Sequence, residues 1–211
     1  MNAVRPAPRR RALQIALVSA CILALWGSVT SAASAPLDAC ADCHGKDGAS
    51  VEHDVPIIGG LSEAFLSDAM DDYRTKARPC PESRFRSGDT KRPATDMCRI
   101  AGTLSKAETA EVVKTLAAKP FVRATQAVDA AQAELGRKVH ATHCDRCHTK
   151  GGSVADDDAG MLAGQHLDYL QQAFKEFADG SRPIPKKMKP RVEELTADER
   201  AALLQYYGSF R

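Results

Sequence analysis

Cys40-Ala41-Asp42-Cys43-His44 and Cys144-Asp145-Arg146-Cys147-His148 are two copies of one pentapeptide, Cys-x-x-Cys-His, the attachment signature of c-type haem. Two cysteines on one helical turn can each form a thioether with a haem vinyl group. The histidine directly after them then lies under the iron as an axial ligand. A zinc knuckle or a thioredoxin-like redox pair also uses Cys-x-x-Cys. Zinc needs two more ligands per site, and no second cysteine pair or His-x-His grouping follows either copy. The chain therefore reads as carrying two covalently bound haem c groups, attached through Cys40 and Cys43 and through Cys144 and Cys147. His44 and His148 are the expected proximal ligands.

The second copy follows the first at an offset of 104 residues. That offset also carries Ile57-Ile58-Gly59-Gly60-Leu61 onto Met161-Leu162-Ala163-Gly164-Gln165, and Phe65-Leu66 onto Tyr169-Leu170. Tyr73 falls on Phe177, and Arg78-Pro79 on Arg182-Pro183. The register then breaks by 13 residues, all extra in the first copy, and resumes with Met97 opposite Met188 and Glu108 opposite Glu199. A repeat of this length means two similar domains: residues 36–119, a linker over 120–128, and residues 129–211.

Apolar residues at three- and four-residue spacing predict amphipathic helices over Ser62–Thr75 and His166–Asp179. Ser105 with Glu108, and Thr196 with Glu199, read as capping boxes opening a C-terminal helix in each half. Alanine-rich Asp129–His143 should be a helix leading into the second motif. No stretch alternates as a strand does, so the expected fold is all-α.

Residues 1–35 read as a secretory signal peptide, with a basic start at Arg5 and Arg9-Arg10-Arg11, an apolar run from Ala12 to Trp26, and small residues after it. The run is too short for a stable membrane span. Cys21 leaves a lipid anchor open as an alternative. Removing four arginines and no acids takes the formal charge from +2 to −2, a balance that does not suggest nucleic-acid binding. Aromatic content is only 5%, thin for a core, and two haems would supply the missing flat apolar bulk.

A histidine leaves the sixth coordination position open. Met188 lies 40 residues after His148 and Met97 holds the matching place 53 residues after His44, so the two thioethers are the expected sixth ligands. His/Met ligation closes a low-spin iron and raises its potential. Met70 competes in the first half, but it sits inside an amphipathic helix and reads as core. Cys80 and Cys98 bracket the extra loop, and in an exported protein a disulfide is the default for such a pair. Two free thiols near the haem edge are the alternative. His53, His140, His143 and His166 lack partners at ligand spacing and read as surface or packing residues.

The tandem arrangement resembles the diheme class I cytochromes c, including the c-four class and the cytochrome subunit of flavocytochrome c sulfide dehydrogenase. The second is the nearer resemblance, carried by Gly136-Arg137-Lys138-Val139-His140 through Cys144–His148, by Leu162-Ala163-Gly164-Gln165, and by Arg182-Pro183 with Lys186-Lys187-Met188. It spans essentially the whole exported chain. Cys98, where a glycine is expected, and the 13-residue excess depart from it. The resemblance implies two tandem class I cytochrome c domains and a Pro56 carbonyl accepting the His44 Nδ1–H, with Gly160 in the equivalent place. It also implies that the basic run Arg182, Lys186, Lys187, Lys189 and Arg191 either docks an acidic partner or is simply a solvated loop.

In function the resemblance implies a periplasmic electron-transfer subunit of a sulfide:cytochrome c type oxidoreductase, not the catalytic chain. An FAD flavoprotein would oxidise sulfide, with the first haem facing the flavin, and a soluble acceptor such as a monohaem cytochrome would take the electrons. A free-standing diheme carrier feeding a terminal oxidase is the second reading. A diheme sulfur-oxidising enzyme or peroxidase is the third.

Overall fold

Serine, aspartate and threonine caps set most of the helix starts. The computed structural model describes Met1 and residues 34–211. The export segment expected over 1–35, with Cys21, lies outside the described residues except for Met1, Ser34 and Ala35. The first half contains α1 (Ser34–His44), α2 (Glu63–Arg74), α3 (Met97–Thr103) and α4 (Lys106–Ala117). The second contains α5 (Ala130–His143), the distorted turn α6 (Thr149–Gly152), α7 (Leu167–Ala178), α8 (Lys189–Glu193) and α9 (Ala197–Gly208). Among the described residues there is no strand, only the bridge pair Ser83 and Thr95. The fold is all-α.

The repeat is exact in the helices that frame each site. α2 and α7 are 12 residues each and lie at the sequence offset. α4 and α9 are also 12 residues each, and both open on a complete capping box, Ser105 with Glu108 and Thr196 with Glu199. In each box the hydroxyl accepts from the N3 backbone while the glutamate accepts from the cap N–H, so two orphan donors are satisfied together. The attachment motifs differ. α1 runs through Cys40, Cys43 and His44, whereas α5 ends at His143 and leaves Cys144–His148 in turns.

One apolar cluster joins Leu61, Leu66, Val112, Val113 and Leu116 of the first half to Met161 of the second. The other gathers Val139, Leu170, Leu195, Leu203 and Tyr207 within the second half. α5 and α9 cross closely because Gly136 has no side chain; a Cβ there would run into the Ala202 carbonyl and the Tyr206 side chain. Residues 120–128 are pinned rather than loose. The Ala124 N–H donates to the Gly164 carbonyl at 2.8 Å, and Gln126 bonds the backbone of Gln165 and Leu167.

Two histidines expected at the surface or in packing are buried and bonded. His140 Nδ1 meets the Tyr207 hydroxyl at 3.1 Å. His166 Nε2–H donates across the halves to the Ser50 carbonyl at 2.9 Å.

Candidate haem sites

The amphipathic helices and the loops between them enclose one continuous cavity of about 640 Å³ that reaches both motifs. From the first half it is lined by Cys40, Cys43, His44 and Met97, and from the second by Cys144, Cys147, His148 and Met188. Ile57, Leu61, Phe65, Leu116, Met161, Leu170 and Leu195 supply apolar wall between them. Met70 of α2 also faces the cavity, so lining alone does not separate it from Met97. The repeat favours Met97: it opens α3 with Asp96 as its cap, and Met188 is the cap residue of α8, matching places in the two halves.

These residues fit haem c. Each half offers two thiols and an imidazole on one turn and a thioether from the start of a later short helix. Arg78 gives a second test of fit. It is only 5% exposed, its Nε is buried without a hydrogen-bond partner, and one terminal nitrogen reaches the Tyr169 hydroxyl at 3.3 Å. A buried guanidinium N–H with nothing to bond is costly; beside an apolar cavity it suits a carboxylate such as haem carries. Arg78 lies over the Tyr73 ring and Arg182 over the Phe177 ring, each at 4.6 Å, so the repeat preserves this stacking as well.

The two histidines of the attachment motifs sit in different surroundings. His44 Nδ1–H donates to the Pro56 carbonyl at 2.9 Å. Burial lowers its pKa, partly offset by that bond, which favours the neutral ring that metal ligation would need. His148 is also lowered, by burial first and then by nearby His140. Its Nδ1 is buried without a hydrogen-bond partner, although the Gly160 carbonyl lies close enough to favour the protonated ring. Burial, with Cys43 beside it, pushes the Cys40 thiol up to about 11. A folded apoprotein would therefore present little thiolate there, in keeping with attachment before folding.

The 13 extra residues fold back over the first attachment turn. The backbone N–H groups of Arg86 and Ser87 donate to the Asp42 carbonyl at 2.8 and 3.0 Å. Arg92 pairs with the Asp42 carboxylate and stacks on Phe85 at 3.6 Å. Cys80 and Cys98 are joined by a disulfide, with their Cα atoms 5.8 Å apart, and the bond ties the base of this loop to the residue after Met97. Closing a loop of 18-residue separation should contribute about 3 kcal/mol in the chain-entropy model. A Cys80→Ser/Cys98→Ser variant is therefore expected to lose about that much in guanidinium melts. Thiol reductant should lower the native midpoint and leave the double variant unmoved.

A tandem all-α repeat with one Cys-x-x-Cys-His turn per half, both opening on one apolar cavity, is a diheme class I cytochrome c fold. Its cofactors are two covalently bound haem c groups, at Cys40/Cys43 and Cys144/Cys147. The family model for cytochrome c oxidase, cbb3-type, subunit III matches residues 131–206. The chain is 28% identical over 183 residues to the thiosulfate dehydrogenase electron acceptor of Thiomonas intermedia, covering 83% of this chain and 78% of that protein. It is 26% identical over 186 residues to cytochrome c4 of Pseudomonas aeruginosa, covering 83% and 86%. The reduced cytochrome c4 structure from Pseudomonas stutzeri superposes with a TM-score of 0.67 at 21% identity, covering 85% of this chain and 98% of that one. None of these three is a sulfide dehydrogenase cytochrome: the similarity found is to cytochrome c4 and to a thiosulfate dehydrogenase electron acceptor, where the sequence resemblance had pointed to the sulfide dehydrogenase cytochrome subunit. The chain is a diheme c-type electron carrier.

Proposed function

We propose that this carrier is an exported, periplasmic subunit that takes electrons from a sulfur-oxidising dehydrogenase and passes them to a soluble acceptor such as a monohaem cytochrome. The observation that carries the reading is the pairing, in each half, of a Cys-x-x-Cys-His turn with a later methionine on one enclosed apolar cavity. Haem c supplies a one-electron iron couple when bound. His44 and His148 would hold the proximal side and Met97 and Met188 the distal side, which leaves no position for a substrate. The surrounding Ile, Leu and Phe side chains exclude water. Among the described residues no helix is long and apolar enough to cross a membrane.

A sulfur donor is supported by the likeness to the thiosulfate dehydrogenase electron acceptor. The sequence resemblance supports an FAD-bearing sulfide dehydrogenase in the same place. Anaerobic mixing separates them: the oxidised holoprotein is combined with a thiosulfate dehydrogenase and thiosulfate, or with the flavoprotein and sulfide. Reduction of both haems by one pair is expected. Oxidation of either sulfur compound by this chain alone would overturn the carrier reading.

We place the docking face on the second half because its basic residues adjoin the cavity. Lys186 and Lys187 are exposed and form no ion pair among the described residues; Arg84 and Lys91 of the first half are equally exposed and without an ion pair, but neither lines the cavity. Lys187, Met188 and Arg191 also line the cavity. Unpaired positive charge steers an anionic partner in a salt-dependent way. The bimolecular electron-transfer rate should fall about tenfold from low to physiological salt. Lys186→Glu/Lys187→Glu should lower the low-salt rate and flatten that dependence.

A further inference from the structure

Gln165 is 2% exposed, and its side chain reaches 108 residues back along the chain to the other half. Its Oε1 accepts from the Ile57 N–H at 2.9 Å, and its Nε2–H donates to the Ile57 carbonyl at 2.9 Å. The Ile57 N–H belongs to the same peptide group as the Pro56 carbonyl, which accepts the His44 Nδ1–H at 2.9 Å. One peptide unit of the first half is thus gripped at both ends. Imidazole holds its oxygen, and a glutamine from the second half holds its hydrogen.

Hydrogen bonds in such a chain polarise one another. An acceptor on the N–H makes the peptide oxygen more negative and so a better acceptor for the imidazole. A histidine whose far N–H is strongly bonded is a more basic ligand, and a more basic ligand favours ferric over ferrous iron. The repeat supplies an internal control. The residue equivalent to Gln165 is Leu61, which has no amide, and in the second half the His148 Nδ1 makes no full hydrogen bond, with only the Gly160 carbonyl nearby.

We propose that Gln165 is a positioning residue for the first haem: through the Pro56–Ile57 peptide it strengthens the His44 hydrogen bond and lowers that haem's potential, making it depend on how the second half is docked. The inference rests on the reading of His44 as the proximal ligand. His166 reinforces the same joint, donating from Nε2 to the Ser50 carbonyl and from its backbone to Gln165 Oε1 at 3.0 Å.

The test is a spectroelectrochemical titration of the holoprotein, wild type against Gln165→Leu and Gln165→Glu, with NMR exchange of the His44 Nδ1 proton. Leucine copies the second half and removes the acceptor. The first haem's potential should rise and its histidine proton should exchange faster, while the second haem stays put. Glutamate keeps an acceptor on the Ile57 N–H and strengthens it, so the first potential should fall or hold. If leucine does not accumulate as holoprotein, the glutamate variant with Gln165→Asn, which withdraws the amide by one carbon, gives the same pair of signs. Shifts of one sign in all variants, equal shifts at both haems, or no shift at all would overturn the proposal. The wild-type spectrum keeps the two readings apart. A first haem lacking histidine ligation would remove the foundation along with the proposal, whereas two normal haems with unmoved potentials would sink the glutamine's role alone.

Discussion

Replacing Met97 by alanine should remove about half of the weak red charge-transfer absorption that iron–thioether ligation produces, because it would open one of two His/Met irons. Met188→Ala should remove the other half, and the double variant all of it. Each single variant should lower the potential of its own haem, since a thioether favours ferrous iron relative to harder ligands. Each should also bind one carbon monoxide per molecule after reduction. Met70→Ala is the internal comparison: although Met70 faces the same cavity, it lies within α2, and its loss should cost packing but leave the band intact. The Cys80–Cys98 disulfide ends on the residue directly after Met97. A variant without the Cys80–Cys98 bond should hold its first-haem band to a lower denaturant concentration than wild type while the second haem's band is unaffected.

Gly136→Val should be the most damaging single change away from the cavity. A Cβ at that position meets the Ala202 carbonyl and the Tyr206 side chain, and Ala202 is fully buried on α9. Backbone on the far side cannot rotate away, so α5 and α9 would have to separate. Overpacking of this kind costs about 3 kcal/mol. The milder Gly136→Ala keeps the collision but recovers about 1 kcal/mol of helix propensity. Gly102, also helical, has nothing within 4 Å of an added Cβ. Gly102→Ala should therefore be neutral or stabilising by up to about 1 kcal/mol. Denaturant melts of the three variants check the order. Because α5 runs directly into Cys144, the second haem's spectrum should be disturbed in Gly136→Val and the first's much less.

Local signals made much of this molecule legible. The helices α2, α4, α7 and α9 were readable because apolar spacing and capping residues act within a few positions, and the offset then fixed which helix of one half answers which of the other. The attachment cysteines were readable because the chemistry needs them on one turn. The joint between halves was not. Gln165, His166 and Arg78 find their partners across gaps of 91 to 116 residues, and nothing nearby in sequence distinguishes a glutamine that clamps a distant peptide from one that faces water. Only the mismatch with Leu61 at the repeat offset marks Gln165 as unusual. The end of α5 before Cys144, where α1 continues through its motif, is likewise not foreshadowed by the motif, which is the same in both halves. His166, given little weight in sequence, sits in the interface because its ring reaches the Ser50 carbonyl.

In the proposed reading both irons are closed, each between an imidazole and a thioether sulfur, so that the chain carries electrons and would transform no substrate. The most direct measurement is the spectrum of the reduced, purified holoprotein before and after exposure to carbon monoxide. Two six-coordinate low-spin haems and no carbon monoxide adduct are the predicted result. A five-coordinate centre, or an adduct at either haem of the unmodified protein, would contradict it.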